Sequence, residues 1–490
     1  MDVDRIAEVF KDQVLFITGA TGFMGKVFLE RLLRVTEVRK IFILIRPKRN
    51  KNSEERLIEL FANPLFDQLK SIKSMSEILE KVIVIAGDCS YKDLNISPAD
   101  RAAIVSQVSM IYHFAATVKF NEKFKRAIEL NVRGTREMVK IAFDCSNLIV
   151  FCHVSTAYSH LHEKHLLEKV YDAPADPHEI IEIAEKYNEE KVEKLMSNFL
   201  NKFVPNSYVF TKALSESLVS NAYETHNLPL LLCRPAVVIP MMKEPIPGWT
   251  DNLNNISGIV AASGLGVLRT IMLTEETELN LIPVDYSTSN IMVATWDYLT
   301  HHKSTLRVVN LEYEGIKVLE GWPVYEDAFR NLYPFEISLW FPNLSFPKNF
   351  LLYCIQYFFY QTIPALLVDG LLKLIGKKPI LRRANQKINK EINAVRIFMD
   401  NKWSFEQENV RIANKLLNDL EITKYGTLQR DRVNFIKKSV LGIRKYVFKQ
   451  DDKTIERSKK RIKLVFFIDR CIKLTFFVGL VYFLTNLFMR

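Results

Sequence analysis

The chain has 490 residues, 48% of them hydrophobic, and its 67 Lys and Arg against 56 Asp and Glu leave a net charge of +11. Two or more domains with a sizeable core are expected at this length, and the apolar share excludes a disordered chain. The basic excess suits nucleic acid, a membrane surface or an anionic substrate; with no nucleic-acid motif present, the last two are preferred.

The six cysteines (Cys89, Cys145, Cys152, Cys233, Cys354 and Cys471) form no CxxC pair. That speaks against a disulfide framework or zinc ribbon and for a reducing compartment. The opening MDVDRIAEVFKDQ is charged and lacks the apolar core of a signal peptide, so the N-terminal domain is expected in the cytosol.

The first element is VLFITGATGFMG, Val14 to Gly25. Val14 to Thr18 is the apolar run of a buried strand. Gly19, Gly22 and Gly25 follow at steps of three, with Thr21, Phe23 and Met24 between them, and KVFLERLLRV continues at helical spacing. Strand, glycine turn and helix form a pyrophosphate cradle: Gly19 for the turn, Gly22 for close phosphate approach, Gly25 for helix-on-strand packing. The free N–H groups and positive dipole end of the helix face the anion. A second strand, Ile41 to Ile45, ends in Arg46, with Lys48 and Arg49 behind it. A cation there accommodates a 2′-phosphate, so NADPH is expected; a solvated basic loop is the alternative.

Further strands are expected at Lys81 to Cys89, Met110 to Ala116 and Leu148 to Thr156, with a long helix from Asn121 to Cys145. This alternation predicts an α/β fold, a Rossmann-type doubly wound parallel sheet whose ligands sit beyond the carboxyl ends of the strands. Asp88, Ala115, Ala116, Ser155 and Thr156 stand at such ends. The polar stretch from Ser159 to Asn206 contains His160, His162 and His165; with no carboxylate or thiol partner fixed by spacing, a solvated lid loop is preferred over a metal site. Tyr208 and Lys212 then open a helical run one turn apart. The spacing predicts an ammonium that lowers the pKa of the phenol and also reaches the cofactor ribose, which makes Tyr208 a proton donor. Leu228 to Pro240 is the sixth strand and its exit, with Pro235 among the cofactor contacts. Gly248 to Pro283 should build the substrate side of the cleft, and Arg307 to Leu311 should close the domain.

From about Glu320 aromatics crowd in. Phe350 to Gly376 is long enough to cross a bilayer, yet Pro364 and Asp369 interrupt it. A membrane-dipping hairpin, an acyl-chain tunnel and a buried helical pair all fit. Helical, basic sequence runs to Asp452, and RSKKRIK (Arg457 to Lys463) precedes the apolar Leu474 to Met489. This reads as a C-terminal tail anchor with the body in the cytosol, or as an interfacial amphipathic helix. The expected division is 1–320, 321–455 and 456–490.

GATGFMG, HFAAT, HVSTAY, YVFTKAL and PGWTDNLN together resemble the alcohol-forming fatty acyl-CoA reductases, extended short-chain dehydrogenases. LLVDGLLKLIGKKP, IFMDNKWSF and GIRKYVFK match that family's helical C-terminal domain, although TLQRDRVNFIKK (Thr427 to Lys438) lacks the expected acidic, Trp-containing stretch. The resemblance implies a long-chain acyl-CoA reduced to a primary alcohol by two NADPH. Tyr208 would be the acid, Thr156 in preference to Ser155 the hydrogen-bonding hydroxyl, and Lys212 the holder of the ribose. It also implies a membrane enzyme facing the cytosol, with the endoplasmic reticulum ahead of the peroxisome. The alternatives are a membrane-bound sterol dehydrogenase, which would not need the long helical domain, and a non-catalytic NADPH-binding scaffold, which would be expected to lose Tyr208 or Lys212.

Overall fold

The computed structural model describes residues 2–48, 50–274, 276–427 and 431–489. Arg49, one of the three cations following the second strand, lies outside the described residues, as do 428–430 in the departing TLQRDRVNFIKK stretch. The chain divides into two compact units, each assembled from three separate pieces. One takes Met1–Ile246, Asn280–Gly315 and Lys402–Arg430; the other takes Pro247–Leu279, Ile316–Asn401 and Asp431–Arg490.

The first unit is built on seven parallel strands: β1 (Val14–Thr18), β2 (Lys40–Ile45), β3 (Val82–Ala86), β4 (Met110–His113), β5 (Val150–Val154), β6 (Leu230–Pro235) and β7 (Arg307–Leu311). Their order is β7-β6-β5-β4-β1-β2-β3. Continuous burial along β1, β4, β5 and β6 explains their unbroken apolar character, since both faces of a parallel sheet are covered. The chain moves outward through β1, β2 and β3 and then returns to place β4 on the other side of β1. That reversal opens a crevice beyond the carboxyl ends of β1 and β4. In register, Thr18 stands opposite Leu44 on one side and His113 on the other. Observed strands are shorter than the apolar runs at 81–89, 110–116 and 148–156: residues 87–89, 114–116 and 155–156 lie beyond the strand ends.

Two elements differ from expectation. The stretch from Ser159 to Asn206 is not a solvated loop: it contains helices Pro177–Lys186 and Glu189–Met196. Ile180, Ile181, Ala184, Val192 and Met196 are buried with Phe210, Leu214 and Leu218 of the Ser207–His226 helix. Apolar residues at helical spacing hide one face among charges on the other, so mean polarity concealed a packed pair. The expected long helix runs from Phe124 to Asp144 and widens into a π-helical stretch at Ile128–Arg133.

In the second unit, two motif glycines meet. A Cβ at Gly442 would stand 1.7 Å from the carbonyl oxygen of Gly248, whose own φ is +81°. The PGW and GIRKY motifs are therefore the two halves of one close backbone crossing, which admits no side chain. Phe350–Leu374 forms a continuous helical segment through a π-helical turn at Phe358–Thr362. Ile455–Phe488 is a single helix of 34 residues. Within it Asp469 is buried and accepts from Arg269 Nη2 (3.1 Å) and Trp340 Nε1 (2.7 Å). A buried charge at this position is tolerated because it is paired.

Candidate active site

The glycine turn joins β1 to the Phe23–Val35 helix. Gly19 has φ +76°, and a Cβ there would lie 2.7 Å from the Ala115 backbone nitrogen. At Gly25 a Cβ would stand 2.2 Å from the Gly19 carbonyl oxygen. The turn is closed by Gly22 N–H donating to Gly19 O at 2.8 Å. Gly22 is the N-cap, and no side chain among the described residues caps the helix. Gly22 is exposed, and Thr21, Phe23 and Met24 are half-buried. A tight turn with glycines where the backbone closes on itself and on Ala115, opening onto the start of a helix, fits the pyrophosphate of a dinucleotide.

At the ends of β2 and β3, Arg46 Nη1 lies 3.4 Å from Asp88 Oδ2, with the Arg46 side chain half-exposed. Asp88 Oδ1 accepts from the Ser90 amide (2.9 Å) and hydroxyl (2.8 Å). Arg46 thus stands at the strand end as a cation positioned by a carboxylate that is itself fixed. At the far side Pro235 closes β6, and its carbonyl accepts from the Ala157 amide at 3.0 Å.

Ser155 and Thr156 follow β5, both buried. The Ser155 hydroxyl has no hydrogen-bond partner among the described residues. The Thr156 hydroxyl accepts from the Tyr158 amide at 3.3 Å and is hydrogen-bonded with the Tyr208 phenol. Asn206 caps the Ser207–His226 helix by accepting from the Val209 amide, which sets Tyr208 in the first turn. Tyr208 packs edge-on against Phe120, ring centroids 5.6 Å apart.

The electrostatics differ from the expected phenol of lowered pKa. Burial pushes Tyr208 up to about 12, with the Thr156 hydrogen bond pulling the other way. Lys212 donates from Nζ to the Val154 carbonyl at 2.7 Å, so its ammonium is tied to the end of β5. Burial brings Lys212 down to about 8, opposed by the charge of Glu216.

Glu216 was not singled out from the sequence, although it continues the Tyr208, Lys212 row by one more turn. It is fully buried and holds Arg234 Nη2 (2.6 Å), His160 Nε2 (3.1 Å) and the Ser159 hydroxyl (2.8 Å). Burial works to raise its pKa, but Arg234 and His160 together hold it well below the usual carboxylate range. His160 is thus spent on Glu216, and His165 Nδ1 pairs with Ser404 Oγ at 2.8 Å. Among the described residues no group of three His, Cys, Asp or Glu could hold a metal ion. Beneath the site, His113 bonds Thr18 (2.7 Å) and Thr135 (3.2 Å), and burial lowers it to about 3. His153, 5.4 Å away by ring centroid, is buried and held well below its usual range, first by burial and then by Lys212. Burial thus keeps both histidines neutral at physiological pH.

The sequence profile of a family described as male sterility protein matches residues 17–291, and a second with the same description matches residues 360–450. The chain is 34% identical over 456 residues to fatty acyl-CoA reductase wat of Drosophila melanogaster, covering 92% of this chain and 87% of that protein. It is 32% identical to fatty acyl-CoA reductase 1 of Homo sapiens, covering 93% and 89%. Among solved structures, the terminal R domain of the myxalamid PKS-NRPS biosynthetic pathway shares the fold, with a TM-score of 0.57 at 17% identity, covering 89% of this chain and 92% of that one.

Proposed function

Because the chain belongs to the fatty acyl-CoA reductase family, we propose that it reduces a long-chain acyl-CoA to a primary alcohol with NADPH, through an aldehyde. The observation that carries this reading is the meeting of Thr156, Tyr208 and Lys212 at the carboxyl end of β5, at the same end of the sheet as the glycine turn that follows β1.

Held by the glycine turn and Lys212, a nicotinamide cofactor would supply hydride for the carbonyl carbon. As charge develops on the thioester oxygen, Tyr208 gives it the proton of Oη, and Thr156 steadies the same oxygen with a hydrogen bond. A phenol held up at about 12 keeps its proton at neutral pH until that charge appears. The hemithioacetal collapses by breaking its C–S bond, and CoA leaves as the thiol. The aldehyde that remains passes through a second reduction of the same kind, so two hydrides and two protons give one alcohol and one CoA. No cysteine nucleophile is used, in keeping with the burial of Cys89, Cys145, Cys152 and Cys233. Lys212 positions the ribose and holds positive charge behind Tyr208. Arg46 receives the 2′-phosphate that distinguishes NADPH from NADH.

The enzyme is membrane-bound through its C-terminal helix, with the catalytic unit on the cytosolic side and the endoplasmic reticulum ahead of the peroxisome as its site. The test is to incubate detergent-solubilised protein with mixed acyl-CoAs and NADPH and to identify products by mass spectrometry. Primary alcohols of long chain are expected; product that stops at aldehyde, or no product, overturns the proposal.

A further inference from the structure

Phe350–Leu374 is the helix among the described residues that is long and apolar enough to cross a membrane by length and composition. We propose that it does not cross: it lies in the plane of one leaflet, with the basic stretch that follows it on anionic lipid headgroups. This rests on the membrane-bound reading given above.

The polar side chains of the helix decide its attitude. Gln356 Oε1 accepts from the Ser345 (2.7 Å) and Thr270 (3.2 Å) hydroxyls. Gln361 Oε1 accepts from the backbone amides of Arg269 (2.9 Å) and Thr270 (3.0 Å). Asp369 caps the Leu381–Met399 helix, accepting from the amides of Ile380, Leu381 and Arg382 at 2.9 Å each. Gln356 to Asp369 covers about 20 Å of helix at 1.5 Å per residue. Over all of that length the polar row is bound to its own unit. A single spanning helix surrounded by lipid has no such one-sided dependence; a helix lying along a surface requires it.

The opposite row is apolar and exposed. Leu351, Ile355, Phe359, Leu367 and Leu371 recur at multiples of four and are 71%, 47%, 44%, 64% and 62% exposed. A contiguous apolar face of this length on a folded unit marks a contact surface. The partner follows from the charges. After Gly376, with φ +72°, the chain turns and exposes Lys377, Lys378, Arg382, Arg383, Lys387 and Lys390. The one acid between Phe350 and Lys390, Asp369, is spent on the helix cap. Lysine is depleted from protein–protein interface cores, whereas an apolar face rimmed by Lys and Arg matches acyl chains beneath anionic headgroups.

The experiment uses the full chain in vesicles of one part phosphatidylserine to three parts phosphatidylcholine. In a Cys354→Ser, Cys471→Ser background, Leu351→Cys, Ile355→Cys, Phe359→Cys, Leu367→Cys and Leu371→Cys are made singly and spin-labelled. Depth is read from relative accessibility to oxygen and to a water-soluble nickel chelate. One shared shallow depth at all five positions is expected. A depth that runs through the bilayer midplane from one end to the other means a span and overturns the proposal. Water-exposed labels in vesicles overturn it as well, whether the face is bare or covered by another protein. Lys377→Glu, Lys378→Glu and Arg382→Glu together should move the labels toward water, as should omission of phosphatidylserine; unchanged depth overturns the headgroup contact. Acyl-CoA reduction is measured in the same samples. Reduction with water-exposed labels sinks the surface alone, and shallow labels without reduction sink the enzymatic reading alone.

Discussion

Tyr208, Lys212 and Glu216 stand one turn apart on one helix and share a graded environment: a phenol near 12, an ammonium near 8 and a carboxylate well below its usual range. Tyr208→Phe and Lys212→Ala should each lower kcat by about a hundredfold or more, since a positioned acid or an oriented charge contributes on that scale. Cofactor binding should survive in Tyr208→Phe, measurable by fluorescence titration. Turnover within about threefold of the unaltered enzyme would remove Tyr208 as the acid. The pH dependence has a definite sign. The folded pKa of Lys212 lies below its ordinary 10.5, so the folded chain binds fewer protons than the unfolded chain between about pH 8 and 10.5. Stability from this group therefore rises with pH across that window, while activity that needs the ammonium falls above about pH 8. Glu216→Gln removes the charge that raises Lys212, so the falling limb of kcat/KM should move to lower pH; a limb that stays in place in a folded variant separates it from Lys212. Thr156→Val should cost more than Ser155→Ala, because the Thr156 hydroxyl is the one bonded to Tyr208. Arg46→Asp should weaken NADPH and favour NADH, read as the ratio of the two kcat/KM values. The glycines and the Tyr–Lys pair were legible because their spacing carries a mechanism. Glu216 was not, since a glutamate in a helix usually faces water and the Arg234 that buries it arrives from another strand.

At the scale of elements, the parallel strands could be read because burial on both faces writes continuous apolar runs. The helices at Pro177–Lys186 and Glu189–Met196 could not, because their apolar residues are thinned among charges. Ile181 is fully buried against the helix that carries Tyr208. Ile181→Ala should cost about 2–5 kcal/mol, the range for truncating a buried aliphatic side chain, seen as a lowered denaturant midpoint. A change under about 0.5 kcal/mol would return this segment to the surface. A second element responds to pH. Glu168 accepts from the amides of Asn310 (3.0 Å) and Asn409 (2.7 Å), and burial raises it to about 7, with Glu406 adding to the rise. A carboxylate with a raised folded pKa favours folding most below its ordinary 4.5 and loses that contribution as pH climbs through about 7. Thermal midpoints should fall from pH 5 to pH 8, and Glu168→Gln should flatten that fall.

At the scale of the whole molecule, the sequence pointed to apolar segments at 350–376 and 474–489 but not to the attitude of the first. That depends on where Gln356, Gln361 and Asp369 find partners, and the Arg269 and Thr270 that hold the two glutamines stand about ninety residues upstream. Deleting the chain after Asp452 should release only part of the protein from membranes when fractionated at high salt, which screens the basic cluster. Two weak attachments add their free energies, so losing one leaves a residual hold. Complete solubility with full activity would leave the second attachment without a role.

The composition of the catalytic unit has a further consequence, for synthesis. Its last piece, Lys402–Arg430, supplies Asn409 to Glu168 and Glu421 to Arg5, whose Nη2 lies 2.6 Å from Glu421 Oε2. At about 5–20 residues per second, the ribosome delivers this piece tens of seconds after the glycine turn has emerged. For that interval Arg5 lacks its carboxylate, and Glu168 has only the Asn310 amide of its two amide donors. A chain stalled or truncated near residue 320 is therefore an unfinished fold rather than a free-standing reductase. Pulse proteolysis of stalled chains should show protection appearing only once residue 430 has cleared the exit tunnel.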